Sequence, residues 1–153
     1  MADTRVQSEV EDWVREHWLP TQYGQRFHRE RVRLSSGGVF DFDGVGEDHK
    51  IVVSISTSQG YTASRKLGGG KLHKLRADVL FLLLTEAEHR VMCLTERDMF
   101  EICQKERTAG RIPQEIEFVH ALLPKDLDAR LRRARETASR EVSPPPQGSK
   151  PPA

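Results

Sequence analysis

The chain is poor in cysteine and aromatic residues, with two Cys, two Trp, two Tyr and six Phe in 153 residues. Cys93 and Cys103 have no CxxC spacing and fall in different segments of the pattern, which argues for inert thiols in a reduced compartment and against a disulfide framework. Charge of one sign is also missing: 24 Lys+Arg against 23 Asp+Glu leave +1. Bulk electrostatics therefore gives no reason to expect a polyanionic partner, and any such argument must rest on local clusters. No apolar run approaches the roughly 20 residues that span a bilayer. Met1-Ala2-Asp3-Thr4-Arg5 leads into an amphipathic pattern without the apolar core of a signal peptide, so the expected location is cytoplasmic. The histidines, at 17, 28, 49, 73, 89 and 120, lack metal-ligand spacing, which speaks against zinc. There is no internal repeat.

What is present is ordinary for a globular protein, 37% hydrophobic and 31% charged. Residues 1–142 read as one domain large enough for a substantial core. Residues 143–153, Ser-Pro-Pro-Pro-Gln-Gly-Ser-Lys-Pro-Pro-Ala, cannot form a core and are expected to be a disordered Pro-rich tail.

Val6, Val10, Trp13, Val14 and Trp18 fall at helical spacing, and Pro20 is expected to close that helix. From Arg29 to Thr57 short β-rich runs, punctuated by Ser35-Ser36-Gly37-Gly38 and Gly46-Glu47-Asp48-His49, predict an antiparallel three-strand meander over about 28–34, 38–45 and 50–57. The run Val79-Leu-Phe-Leu-Leu-Leu84 fits a buried strand or a helix end. The spacing of Leu72, Leu75, Val79, Leu82 and Leu83, and the preponderance of leucine, favour a helix over about 70–86. A strand at 90–95, a helix at 96–107 ended by Gly110, a strand at 116–122 and a helix after Pro124 complete the order. Long connections after the meander favour parallel addition of the later strands, giving an α/β fold with a mixed sheet flanked by helices.

The most informative stretch is Gly37-Gly38-Val39-Phe40-Asp41-Phe42-Asp43-Gly44-Val45, followed by Ile51-Val52-Val53-Ser54-Ile55-Ser56-Thr57-Ser58. Alternation places Asp41 and Asp43 on one face of the first strand, and Ser54, Ser56 and Ser58 on one face of the next. Two aspartates inside a Phe-rich strand oppose strand propensity, which marks them as candidate site residues. Downstream, Arg65, Lys66, Lys71, Lys74 and Arg76 cluster with no acid between Tyr61 and Ala77, around the exposed backbone of Gly68-Gly69-Gly70; this cluster is the candidate phosphate-contacting segment. Gly70-Lys71 is not a Walker motif, because Leu72 stands where the magnesium-binding Ser or Thr belongs. Arg130, Arg132, Arg133, Arg135 and Arg140 enrich the last helix in charge that suits a helix C-terminus or simple solvation.

On the element order and the Phe-Asp-Phe-Asp-Gly-Val run, residues 6 to 95 resemble the PD-(D/E)xK, or restriction-endonuclease-like, nuclease superfamily, whose core is helix, three-strand meander, helix, strand. The resemblance implies an αβββαβ core with additional C-terminal α-β-α elements. It implies that Asp43 is the family's metal-binding aspartate, with Mg2+ as the possible cofactor. It also puts Ser54 where the family Glu or Asp belongs and Ser56 where the Lys belongs, so the E-x-K pair is absent. A serine hydroxyl is a much poorer ligand for a hard cation than a carboxylate and supplies no charge. Asp41 and Glu9, the latter resembling an accessory helix acid, are the residues through which a metal site would be rescued, with the lysine role moved to Lys66, Lys71 or Lys74. The expected function is nucleic-acid binding, DNA foremost, or assembly with a DNA-processing protein, with catalysis lost or reduced. The alternatives are an active Mg-dependent endonuclease or exonuclease, and an interaction protein with no nucleic-acid role.

Overall fold

The structure, a computed structural model, describes residues 4–61 and 68–142. Helices α1 (Arg5–Trp13) and α2 (Leu19–Tyr23) flank a π-helical turn, Val14–Trp18; strands β1 (Phe27–Arg33), β2 (Val39–Gly46) and β3 (Ile51–Ser56) follow. Then come α3 (Gly69–Leu83), β4 (His89–Leu94), α4 (Arg97–Thr108), β5 (Ile116–His120) and α5 (Lys125–Val142). The five strands form one mixed sheet in the order β1-β2-β3-β4-β5. β1, β2 and β3 pair antiparallel, while β4 joins β3 and β5 joins β4 in parallel. The meander, the parallel additions and the helical state of 79–83 thus agree with the residue patterns. The Pro-rich tail lies outside the described residues.

Each sheet face has its own apolar layer. On one, Phe42, Val45, Val52, Met92 and Leu94 pack with Leu75, Val79 and Leu82 of α3 and Met99 and Cys103 of α4. Phe40 stacks on Phe81 there, with ring centroids 4.2 Å apart and planes 11° off parallel, an arrangement that adds to simple burial. On the other face, Phe27, Ile51, Val53, Ile55, Val91 and Cys93 meet Val14 and Leu19. β3 therefore carries Ile51, Val53 and Ile55 toward the first helices and Val52 toward α3, and both faces of this central strand are covered. Val10 of α1 packs with Leu127 and Leu131 of α5.

Two irregularities depart from the expected pattern. Pro20 does not end the first helix. The Leu19 N–H donates to the carbonyl of Val14, five residues back, and this wider turn lets helix continue through a residue that has no N–H and crowds the preceding turn. The end comes at Gly24, in the left-handed conformation with φ 67°, whose N–H reaches the Pro20 carbonyl at 2.8 Å; a glycine there avoids the Cβ penalty. In the sheet, β1 and β2 shift register between His28↔Val45 and Glu30↔Phe42. Phe42 and Val45, three residues apart, consequently sit in the same apolar layer, so strict alternation along β2 breaks between them, at Asp43–Gly44. An extra residue on β2 is the physical cause.

Candidate functional site

The β2–β3 pairing is short. Its registered partners are Gly44↔Val53 and Val45↔Val52, and beyond them the strands part. Asp43 sits at the opening and takes over the ladder's role: the Ile55 N–H donates to Asp43 Oδ2 at 2.8 Å. Next to it on β2, Gly44 holds its backbone close to the first helices, where a Cβ would lie 3.3 Å from Leu19 Cδ1. Arg15, buried in the π-helical turn, donates from Nε to the Asp43 carbonyl at 2.6 Å and from Nη1 to Asp12 Oδ1 at 2.8 Å. Helix, bulge and split are thus tied together at one residue.

Asp43 is also the electrostatic centre of the region. Burial raises its carboxyl above the ordinary value of 3.8, opposed by the Ile55 N–H and by the charges of Arg15, Arg29 and Lys74. Glu11 on α1 is raised by burial and then by Asp43, with Arg15, Arg29 and Lys74 opposing. Asp78 on α3 is raised by burial, lowered by Lys74 and raised by Asp43. Three half-buried carboxyls and three cations, drawn from α1, the π-helical turn, β1, β2 and α3, therefore interact around the split. Desolvation disfavours the charged acids, and the cations keep the region from becoming a simple acidic patch.

The other residues singled out from the sequence are distributed as follows. Asp41 faces solvent and takes Arg31 Nε on Oδ1 at 3.0 Å, directly across the β1–β2 ladder; this hydrogen bond and charge hold its carboxyl below the usual range. Glu9 pairs with Arg130 of α5 at 2.7 Å. The acid of α1 that interacts with Asp43 is Glu11, which sequence reasoning missed. Ser54 is 3% exposed, and no hydrogen bond among the described residues uses its hydroxyl. Ser56 is half-buried, and its Oγ accepts the Ser58 N–H at 3.3 Å. Asp43, Asp41 and Glu9 are thus committed to three different partners, and with neutral Ser54 and Ser56 they are not gathered into one magnesium cradle, which would need converging carboxylate oxygens. Among the described residues no group of three or more His, Cys, Asp or Glu is placed to hold a metal ion.

In the basic segment, Arg65 and Lys66 lie outside the described residues. Lys71 and Lys74 are exposed on the first turns of α3, beside the buried Leu72 and Leu75 that seat the helix on the sheet. Gly68, before the helix, donates to the Gly60 carbonyl at 3.0 Å. Gly60 and Tyr61 in turn donate to Asp98 Oδ2 of α4 at 3.0 and 3.2 Å. Arg76 points the other way and is held by Glu106 at 3.0 Å. On α5, Arg135 binds Glu96 and the Thr57 carbonyl, clamping the helix to the end of β3.

Among the described residues the region presents the exposed cations Lys71 and Lys74 and no thiol poised as a nucleophile. Cys93, the thiol nearest Asp43 in electrostatic terms, is fully buried in the sheet, and burial followed by the Asp43 charge pushes its titration upward, away from thiolate chemistry. No helix among the described residues is long and apolar enough to cross a membrane. Comparison with protein-family models, with curated proteins and with solved structures returned no match.

Proposed function

We propose that this chain is a restriction-endonuclease-like domain that binds nucleic acid, DNA foremost, without efficient phosphodiester cleavage. The observation that carries the reading is Asp43 at the β2–β3 split, with Lys74 beside it and neutral Ser54 and Ser56 on the facing strand. An antiparallel β1–β3 meander continued by a parallel β4, with α1 and α3 on opposite faces, supports the nuclease-like ancestry of the scaffold. Exposed Lys71 and Lys74 support phosphate contact, a sequence-independent interaction that strengthens as salt is lowered. Loss of chemistry follows from the donor set: Asp43 Oδ2 is spent on the Ile55 N–H, and serines supply neither the second carboxylate nor the ammonium that would organise a hydrated cation and its water.

The test is incubation of labelled single- and double-stranded DNA and RNA with the full chain at low salt, with magnesium or manganese present, followed by native and denaturing gels. The expected result is a shifted complex from which the strand is recovered at full length, and a weaker complex for Lys71→Ala/Lys74→Ala. Metal-dependent cutting that disappears in Asp43→Asn would replace this reading by an active nuclease. The absence of any complex at low salt would leave an interaction protein with no nucleic-acid role.

A further inference from the structure

A second feature lies on the α1 side of the sheet, away from Lys71 and Lys74. The π-helical turn and β1 enclose a depression of about 490 Å³ with Arg15, Arg26, His28 and Arg29 in its wall, Glu16 as its one acid, and Pro20 and Phe27 as its apolar part. Its position coincides with both backbone irregularities of the fold. The π-helical turn supplies Arg15 and Glu16, and the β1–β2 register shift spans Arg29. β1 is an edge strand of the sheet, and three consecutive residues of it, Phe27, His28 and Arg29, border the depression. Irregularities of each kind re-aim side chains and recur at functional sites.

The cations differ in how far they are already engaged. Arg15 is anchored by Asp43 and Asp12. Arg26 and Arg29 are exposed and their guanidinium groups make no hydrogen bond or ion pair among the described residues, although Arg29 interacts at longer range with Asp41, Asp43 and Glu11. Two uncommitted guanidinium forks in the same wall as a buried, fixed third one make a donor set for a planar or tetrahedral oxyanion. Arg15 is already paired with Asp12 and Glu16 is the one acid of the wall, so the case for a phosphate monoester rests on the two free forks, which together can grip the three terminal oxygens that a monoester offers and a phosphodiester lacks. The volume far exceeds one phosphate, leaving room for an attached sugar or base beside Pro20 and Phe27.

We propose that this depression is a binding site for a phosphate monoester, the terminal phosphate of a nucleotide or of a nucleic-acid 5′ end. Arg26 and Arg29 clamp the phosphoryl oxygens, and Arg15, held from behind by Asp43, presents its remaining Nη2 donor. The site is independent of the phosphate-chain contacts assigned to Lys71 and Lys74.

The test uses the full chain and two probe pairs: 3′-labelled oligonucleotides of one sequence with a 5′-phosphate or a 5′-hydroxyl, by anisotropy, and adenosine 5′-monophosphate against adenosine, by calorimetry. The phosphorylated member of at least one pair binds about tenfold or more tightly than its partner, the scale of a few charge-assisted hydrogen bonds. Discrimination in the oligonucleotide pair assigns the site to a strand end; discrimination confined to the adenosine pair assigns it to a free nucleotide. Arg26→Gln/Arg29→Gln, at exposed positions, keeps the fold by circular dichroism and erases the discrimination. Lys71→Ala/Lys74→Ala weakens both oligonucleotides equally and leaves their ratio, so this result stands apart from chain binding at α3. Equal affinity within both pairs, or discrimination unchanged in the Arg26/Arg29 variant, overturns the proposal.

Discussion

Asp43 is a structural pin, and the proposed function makes it a site residue as well. Its side chain completes a hydrogen bond that the parted ladder leaves open, and burial is the largest influence on its titration. These two roles separate on substitution. Asp43→Asn keeps an acceptor for the Ile55 N–H and removes a desolvated charge. The folded carboxyl has the raised value, so its contribution to stability is fully present below the unfolded value of 3.8 and is lost as pH rises through the folded value. Thermal melts should therefore find Asp43→Asn at least as stable as wild type at pH 7, the difference closing in acid. Asp43→Ala, which orphans the Ile55 donor, should cost about 1–3 kcal/mol. The thiols give a second residue-scale outcome. Cys103 is pushed up to about 12, first by burial and then by Glu106, and Cys93 is raised further. A thiol reagent at pH 8 should label neither cysteine in the native protein and both after denaturation.

At the scale of elements, the patterns that average over many residues were legible in the sequence. Leucine spacing over 72–83 specifies α3, and β-rich runs with their turn residues specify the meander, because burial on a face repeats and so reinforces itself. What escaped were single-residue events. The extra residue at Asp43–Gly44 leaves the composition looking unremarkable, yet it puts Phe42 and Val45 into one apolar layer. Pro20 reads as a stop because a π turn has no sequence signature of its own. Glu9 and Glu11 differ by two positions on α1, about 200° of helical rotation, and packing against α5 decides which of them meets Asp43. The same distinction divides the arginines of α5. Arg135 is mostly buried against Glu96, with side-chain exposures of 18% and 10%, whereas the Arg132–Asp128 pair is 70% and 34% exposed. Arg135→Ala should destabilise by about 1–3 kcal/mol, since it leaves a buried carboxylate without its partner. Arg132→Ala should change stability by roughly 0.5 kcal/mol or less. Denaturant titrations of the two variants compare them directly.

For the whole molecule, a mixed five-stranded sheet covered on both faces sets the split strands between the cations of α3 on one side and the arginine-lined depression on the α1 side. The near-zero net charge conceals this, because many of the acids that balance the cations are held in pairs away from the split. Arg31–Asp41, Arg130–Glu9 and Arg76–Glu106 neutralise one another, while Lys71 and Lys74 make no ion pair among the described residues. The candidate site was thus legible as a cluster of basic residues and one aspartate, and its assembly from separate elements required the three-dimensional fold. The central claim is that these lysines meet a phosphate chain. The most direct measurement is the salt dependence of DNA binding by the full chain and by Lys71→Ala/Lys74→Ala, from fluorescence anisotropy. The account predicts saturable binding by wild type, with a slope of log affinity against log salt about 1–2 units steeper than the variant's, as each lost phosphate contact lowers the slope by about 0.7–0.9. Equal slopes and equal affinities for the two proteins would contradict it.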